Sequence, residues 1–276
     1  MVDKMIRCVK KHLLLLLSIL ALTLALVYIV FSKALIAEKD VRGNEVQIPT
    51  IIIPGSTSDQ HSLDYMIDQL VAASEPHSVL KTRILEDGRI QYEGSYDSND
   101  KRPYIIIAYE NSDDTYENIS NQTEWVGLAM SDLQEKYGFN EYNAIGYSNG
   151  GLNWTLYLEN IGEVTHPTAK VLVTLGTPYN SYESDDSVKS DILNDMIMNK
   201  ESLPKDLTVY NIAGASSLDY DLVVPLSSVL AGKYIFQGQV KSYSQFTVTG
   251  DQASHTSLPI NDQIIELIVE KILQSQ

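Results

Sequence analysis

Short apolar runs alternate with longer segments of helical periodicity through most of the chain after residue 46. The runs at residues 51–53 and 105–107 are continuous isoleucine triplets, which is typical of strands buried on both faces. Between such runs, apolar residues recur three and four positions apart over residues 59–73, 122–137 and 150–160, which predicts helices. Strands that alternate with helices favour a mostly parallel sheet covered on both faces, so the pattern predicts an α/β fold.

Local signals refine this pattern. Asp59 is expected to cap the first of these helices, and Gly138 is expected to end the second. The pair Asp87–Gly88 lies between two runs of alternating character, which predicts a two-residue β-hairpin and an antiparallel strand at that point.

Residues 179–205 interrupt the alternation of strands and helices. Their apolar positions predict an amphipathic helix with a stripe formed by Val188, Ile192, Leu193, Met196 and Met198. Such a segment is either a cap over a site or a small surface helix packed on its own domain. The pattern favours neither interpretation.

The first part of the chain follows a different pattern. From Leu13 to Phe31 it is apolar except for Ser18 and Thr23, close to the ~20 residues that cross a bilayer core. The preceding lysine and arginine residues predict a cytoplasmic N-terminus and an exported remainder. A cleaved signal peptide stays open as the alternative, although its apolar region is usually ~7–15 residues. We therefore expect a cytoplasmic stub and single-pass anchor over 1–33, a linker over 34–46 and a folded domain over 47–276.

Charge and composition limit the partners. The chain has a formal net charge of −16, and without residues 1–33, which hold five basic residues and one acidic residue, the charge is −20. Such a surface repels nucleic acid and anionic headgroups, so no nucleic-acid partner is expected, although solubility alone explains an acidic surface. Cys8 is the only cysteine and no His, Cys, Asp or Glu residues have zinc spacing, so no disulfide, metal or cofactor is expected. The oligomeric state stays open.

The stretch NAIGYSNGG places Ser148 between two glycines, after a predicted strand and before a predicted helix. Either the turn simply requires glycine, or the glycines make room for a serine nucleophile in a strained conformation. A serine nucleophile needs a base, and His255 follows the last predicted strand. Asp221 follows an earlier predicted strand and would orient the histidine, with Asp219 as the alternative acid. The order serine, acid, histidine favours the catalytic interpretation.

From residue 48 onward the chain resembles the α/β-hydrolase superfamily, and most closely the lipase-like surface hydrolases of unknown function found in Gram-positive bacteria. The resemblance rests on the stretches IIIPGST, LEDGRI, NAIGYSNGG, VTLGTPYN, DLVVP and ASHTSLPIND. It implies an α/β-hydrolase fold with small hairpin and cap insertions and a triad of Ser148, Asp221 and His255. It also implies that the backbone N–H groups of Ser56 and Asn149 bind the oxyanion.

Two residues depart from the family pattern. Pro54 stands where the oxyanion loop usually has histidine, and Tyr147 stands where histidine commonly precedes the serine. Neither departure removes a triad member. The resemblance and the predicted anchor together imply a membrane-anchored extracellular serine hydrolase that acts on small-molecule or lipid esters. The alternatives are a non-catalytic surface binding protein with the same fold and a peptidase or acyltransferase that uses the same triad.

Overall fold

The computed structural model describes Thr23 and residues 47–160, 167–217 and 219–273. The described residues from Gln47 onward form one compact unit. The predicted anchor and linker lie outside the described residues, Thr23 apart. Among the residues that are described, no helix has the length and apolar character needed to cross a membrane.

A single sheet of eight strands forms the centre of this unit, in the order β3-β2-β4-β1-β5-β6-β7-β8. Only β3 is antiparallel to its neighbour, which confirms the predicted mostly parallel sheet. The strands are β1 (Thr50–Ile53), β2 (Val79–Ile84), β3 (Ile90–Gly94), β4 (Tyr104–Tyr109), β5 (Glu141–Tyr147), β6 (Thr168–Leu175), β7 (Thr208–Ala215) and β8 (Ser242–Thr249).

Helices join the strands and pack on both faces of the sheet. The α-helices are α1 (Asp64–Ala72), α2 (Tyr116–Tyr137), α3 (Asn149–Asn160), α4 (Asp191–Asn199), α5 (Leu226–Leu230), α6 (Lys233–Phe236) and α7 (Asp262–Ile268). Two 3-10 turns (Lys200–Ser202 and His255–Ile260) and a π turn (Val269–Leu273) complete the set.

Side chains that alternate along each strand enter two separate cores. Ile51 and Ile53 of β1 pack in a cluster with α2, α3 and α4, whereas Ile52 packs in a second cluster with α1 and α7. Successive side chains of a strand point to opposite faces, so a continuous apolar run supplies both cores. This is the physical reason for the isoleucine triplets.

The hairpin predicted at Asp87–Gly88 is present between β2 and β3, but its turn is one residue longer. The N–H of Gly88 donates to the carbonyl of Leu85, and the N–H of Leu85 donates to the carbonyl of Arg89. Gly88 has φ 83°, the left-handed conformation of a glycine in a G1 bulge.

Two helix starts differ from the prediction. Helix α1 begins at Asp64, because the carboxylate of Asp59 accepts hydrogen bonds from the N–H of His61 and the hydroxyl of Ser62 and so caps a turn instead. Helix α2 begins at Tyr116 rather than at residue 122. The hydroxyl of Thr115 caps it.

The end of α2 and the burial of α2 and α4 agree with the predictions only in part. Gly138 ends α2 at φ 73°, as predicted, but Leu128, one of the apolar residues whose spacing predicted this helix, is half exposed. In α4, Ile192, Leu193 and Met196 are buried as predicted. Val188 precedes the helix and is exposed, as is Met198 in its last turn.

Candidate active site

Four strands, within a run of five neighbours, deliver the predicted site residues to one edge of the sheet. The segment PGST follows β1 and the serine turn follows β5, and these strands are paired with Ile53 opposite Gly146. Asp221 follows β7, and His255 follows the adjacent β8. Because the carboxyl ends of parallel strands lie at the same edge of the sheet, residues far apart in sequence meet there.

The serine turn is a strained corner between β5 and α3. Ser148 has φ 53°, which is unfavourable for a residue with a side chain, and its N–H donates to the carbonyl of Leu175 at 2.8 Å. A Cβ atom on Gly146 would lie 2.5 Å from the Cα of Gly151, and one on Gly150 would lie 2.1 Å from the Ile53 carbonyl oxygen. The turn therefore requires glycine at both positions. It also holds Ser148 at the sharp corner between the strand and the helix, so that its side chain projects from the turn.

The three predicted catalytic side chains are in contact. His255 Nε2 lies 3.0 Å from Ser148 Oγ, and His255 Nδ1 lies 2.7 Å from Asp221 Oδ2. All three residues are buried, and Asp221 is completely inaccessible to solvent. The alternative acid, Asp219, is exposed. The arrangement has the geometry in which a histidine can accept the proton of a serine hydroxyl while a carboxylate orients the ring.

The loop after β7 holds the Asp221 carboxylate in place. Its Oδ1 atom accepts hydrogen bonds from the N–H groups of Val223 at 2.9 Å and Val224 at 2.6 Å. The carbonyl of Asp221 also accepts the N–H of His255 at 2.7 Å, so backbone and side chain both join the acid to the histidine. Leu222 adopts φ 78° between these contacts, a strained conformation for a leucine.

Tyr147 supports the histidine from the other side. Its hydroxyl donates to the carbonyl of His255 at 3.1 Å, and the two rings lie 5.2 Å apart. Burial, together with the charge of Asp221, raises the pKa of Tyr147 well above its ordinary value, so the hydroxyl stays a neutral donor. In the sequence this residue was notable only as a departure from the family pattern. Its position directly before the predicted nucleophile was the only sequence feature that could have indicated this contact with His255.

The segment after β1 lies against the nucleophile. A Cβ atom on Gly55 would lie 2.9 Å from Ser148 Cβ, so only glycine permits this approach. Thr57 has φ 55°, and its N–H donates to the carbonyl of Ser112, which fixes the loop. No hydrogen bond between described residues engages the backbone N–H of Ser56 or of Asn149. Both predicted oxyanion donors are thus unused by the fold.

The described residues contain no group of three or more His, Cys, Asp or Glu side chains that could hold a metal ion. The contacts of Ser148, His255 and Asp221 support proton transfer and nucleophilic attack.

Comparison with known families identifies the fold. The model of a family described as "alpha/beta hydrolase of unknown function (DUF915)" matches residues 38–275. The chain belongs to this family. Its predicted α/β-hydrolase fold is thereby confirmed.

Solved structures agree with membership of the DUF915 family. A protein of Lactobacillus plantarum WCFS1, named as a proposed cell surface hydrolase, is 39% identical, with a TM-score of 0.77 over 83% of this chain and 93% of that one. A gene product of Listeria innocua is 32% identical, with a TM-score of 0.76 over 83% and 95%. An esterase of Pyrococcus furiosus is 14% identical, with a TM-score of 0.50 over 84% of each chain, and shares the fold alone. Among curated proteins, none matches the chain.

Proposed function

We propose that this hydrolase cleaves carboxylic esters through an acyl-enzyme formed on Ser148. The single observation that carries the proposal is the continuous chain of contacts from Ser148 Oγ through the imidazole of His255 to the buried carboxylate of Asp221. A serine held at φ 53° beside such a base is far more specific than a glycine-rich turn alone.

The mechanism follows from the two ring nitrogens of His255. In the proposed mechanism Nδ1–H donates to Asp221 Oδ2, which leaves Nε2, 3.0 Å from Ser148 Oγ, to accept the hydroxyl proton. Nε2 takes the hydroxyl proton as Oγ attacks the ester carbonyl carbon, and it then gives that proton to the departing alcohol. A water molecule, deprotonated in the same way, releases the acid and restores the serine. Asp221 stabilises the imidazolium in both halves.

The carbonyl oxygen becomes negatively charged when Oγ attacks. In our proposal it is bound by the backbone N–H groups of Ser56 and Asn149, each worth roughly 3 kcal/mol of transition-state stabilisation. Asn149 is the first residue of α3, so the helix dipole adds to its N–H. Gly55 lies against Ser148, and this contact brings the adjacent N–H of Ser56 near the same carbonyl oxygen.

We further propose that the enzyme is anchored in the cell membrane and faces outward. The apolar run Leu13–Phe31 with its basic N-terminal flank supports this location. The name of the Lactobacillus relative, a proposed cell surface hydrolase, agrees with it.

Hydrolysis of p-nitrophenyl butyrate by the purified full chain tests the proposal. We expect Ser148→Ala to lower kcat/KM at least 10⁴-fold, because the nucleophile is lost. Ser254→Ala is the matched control: its hydroxyl lies beside His255 but pairs with that of Ser257, so activity should change less than about threefold. Equal activity in Ser148→Ala and the wild type would refute the nucleophile. A wild-type protein that turns over no ester would favour the non-catalytic binding protein.

A further inference from the structure

A small pocket opens beside the serine turn, on the side formed by α2, α3 and α4. Its apolar part includes Ile119, Leu152 and Ile192, one from each of these helices, and Pro178. Asn149 also lines it, so the pocket adjoins the residue whose N–H is proposed to bind the oxyanion. The segment 179–205 contributes a wall through Ile192, which is buried.

The position of His255 decides which half of an ester this pocket can hold. His255 must protonate the departing alcohol, so the alcohol lies on the histidine side of Ser148. Neither His255 nor Asp221 lines the pocket. A group seated in it therefore lies away from the proton donor, which is the place of the acyl group.

The volume of the pocket limits the length of that group. It is about 80 Å³. A cavity of about 150 Å³ holds one benzene molecule, with its six carbon atoms. By that measure the pocket takes about three carbon atoms beyond the ester carbonyl, the length of a butyryl group.

A contact between two loops forms the outer rim of the pocket, which is partly open. The hydroxyl of Tyr182 donates to Asp114 Oδ2 at 2.9 Å. Burial and this carboxylate raise the pKa of Tyr182 to about 12, so the hydroxyl remains a donor at physiological pH. Ser181, before it, adopts φ 53°, and its carbonyl accepts the hydroxyl of Ser228 at 2.6 Å. These hydrogen bonds hold the loop, and with it Tyr182, at the wall of the pocket.

We propose that this pocket is the acyl-binding site and that Ile192 sets its length limit, so that the substrates are esters of short-chain acids of about four carbons or fewer. This inference rests on the proposed esterase function and narrows its substrate class. It also gives the segment 179–205 the role of a wall. Helix α4 packs through Ile192, Leu193 and Met196 into the core that it shares with α2 and α3, and Ile192 also lines the pocket.

The test is the acyl-chain preference of the purified full chain, measured as kcat/KM for p-nitrophenyl acetate, butyrate, hexanoate and octanoate. We expect the wild type to prefer acetate and butyrate. Ile192→Ala removes three carbons from the wall, so the ratio of hexanoate to butyrate should rise at least tenfold, since one methylene in such a pocket changes rates by about tenfold or more. Ile192→Val removes one carbon from the wall and should raise the ratio by less than Ile192→Ala does.

Met196→Ala is the matched control. Met196 is buried on the same helix but does not line the pocket, so its loss should lower stability while leaving the ratio within about twofold of the wild type.

Four results would overturn the inference. A wild-type preference for octanoate, or equal ratios in Ile192→Ala and Met196→Ala, would overturn the acyl pocket while Ser148-dependent hydrolysis stands. If Ile192→Ala changes the preference along a series of butyrate esters of longer alcohols and leaves the acyl-chain preference unchanged, the pocket binds the alcohol instead. Absence of Ser148-dependent hydrolysis in all variants would overturn the proposed function and this inference with it.

Discussion

Asp221 and Glu159 are both buried carboxyl groups, and their surroundings differ completely. Asp221 has no exposed surface, and its two oxygens receive hydrogen bonds from two backbone N–H groups and from His255. Glu159, near the end of α3, is 4% exposed, and neither of its oxygens has a hydrogen-bond partner among the described residues. Within the part of the chain that the structure describes, hydrogen-bond donors contact the Asp221 carboxylate and none contacts the Glu159 carboxyl group.

The difference shows what burial alone does to an acid. Desolvation, with a smaller effect from the charge of Asp195, raises the pKa of Glu159 to about 9, so this group is neutral at physiological pH. A neutral carboxyl cannot stabilise an imidazolium ion. At Asp221 the loop supplies N–H donors in place of water, and His255 Nδ1 lies against the other carboxylate oxygen.

The largest expected contrast is in activity. Asp221→Asn keeps the size of the side chain but removes its charge and leaves His255 in the wrong tautomer, so kcat for p-nitrophenyl butyrate should fall ~10³–10⁴-fold. Glu159→Gln makes the same chemical change at a buried acid that is already neutral, and kcat should stay within about threefold of the wild type. Equal losses in the two variants would mean that burial, rather than contact with His255, matters for activity.

A smaller contrast is expected in the pH dependence of stability. The unfolded chain releases the Glu159 proton near pH 4.5, whereas the native state keeps it up to about pH 9. The unfolded state therefore binds fewer protons in this window, and the free energy of unfolding should fall as pH rises, by about 1.4 kcal/mol per pH unit from this group.

Urea unfolding at several values between about pH 5 and pH 8 measures this effect. Glu159→Gln lacks the titrating proton, so its stability should decline less steeply, and it should exceed the wild type most at the upper end. If the free energies of unfolding of the two proteins fall equally with pH, Glu159 is ionised in the native state, and hence paired or hydrated.

The sequence predicted features that depend on local chemistry. The corner around Ser148 needs glycine at fixed positions because backbone atoms approach within contact distance, and that requirement is visible as NAIGYSNGG. The partners Asp221 and His255 were predicted from chain order, and the strand order of the sheet explains why they meet.

Features that depend on tertiary packing were not predicted. The burial of Glu159 gives no signal in the sequence, because a glutamate near a helix end is ordinarily solvated. Met198 fits the helical stripe of α4, yet it is 71% exposed because the helix contacts the core over only part of its length. The pocket beside Asn149 arises where three helices and two loops meet, so no single segment encodes it.

The most direct test of the proposed triad is reaction of the full chain with a fluorophosphonate, followed by peptide mapping by mass spectrometry. We expect one adduct per chain, on Ser148, and labelling at least 100-fold slower in His255→Ala, since the serine then lacks its base. An adduct at another residue, or equal labelling rates with and without the imidazole, would contradict it.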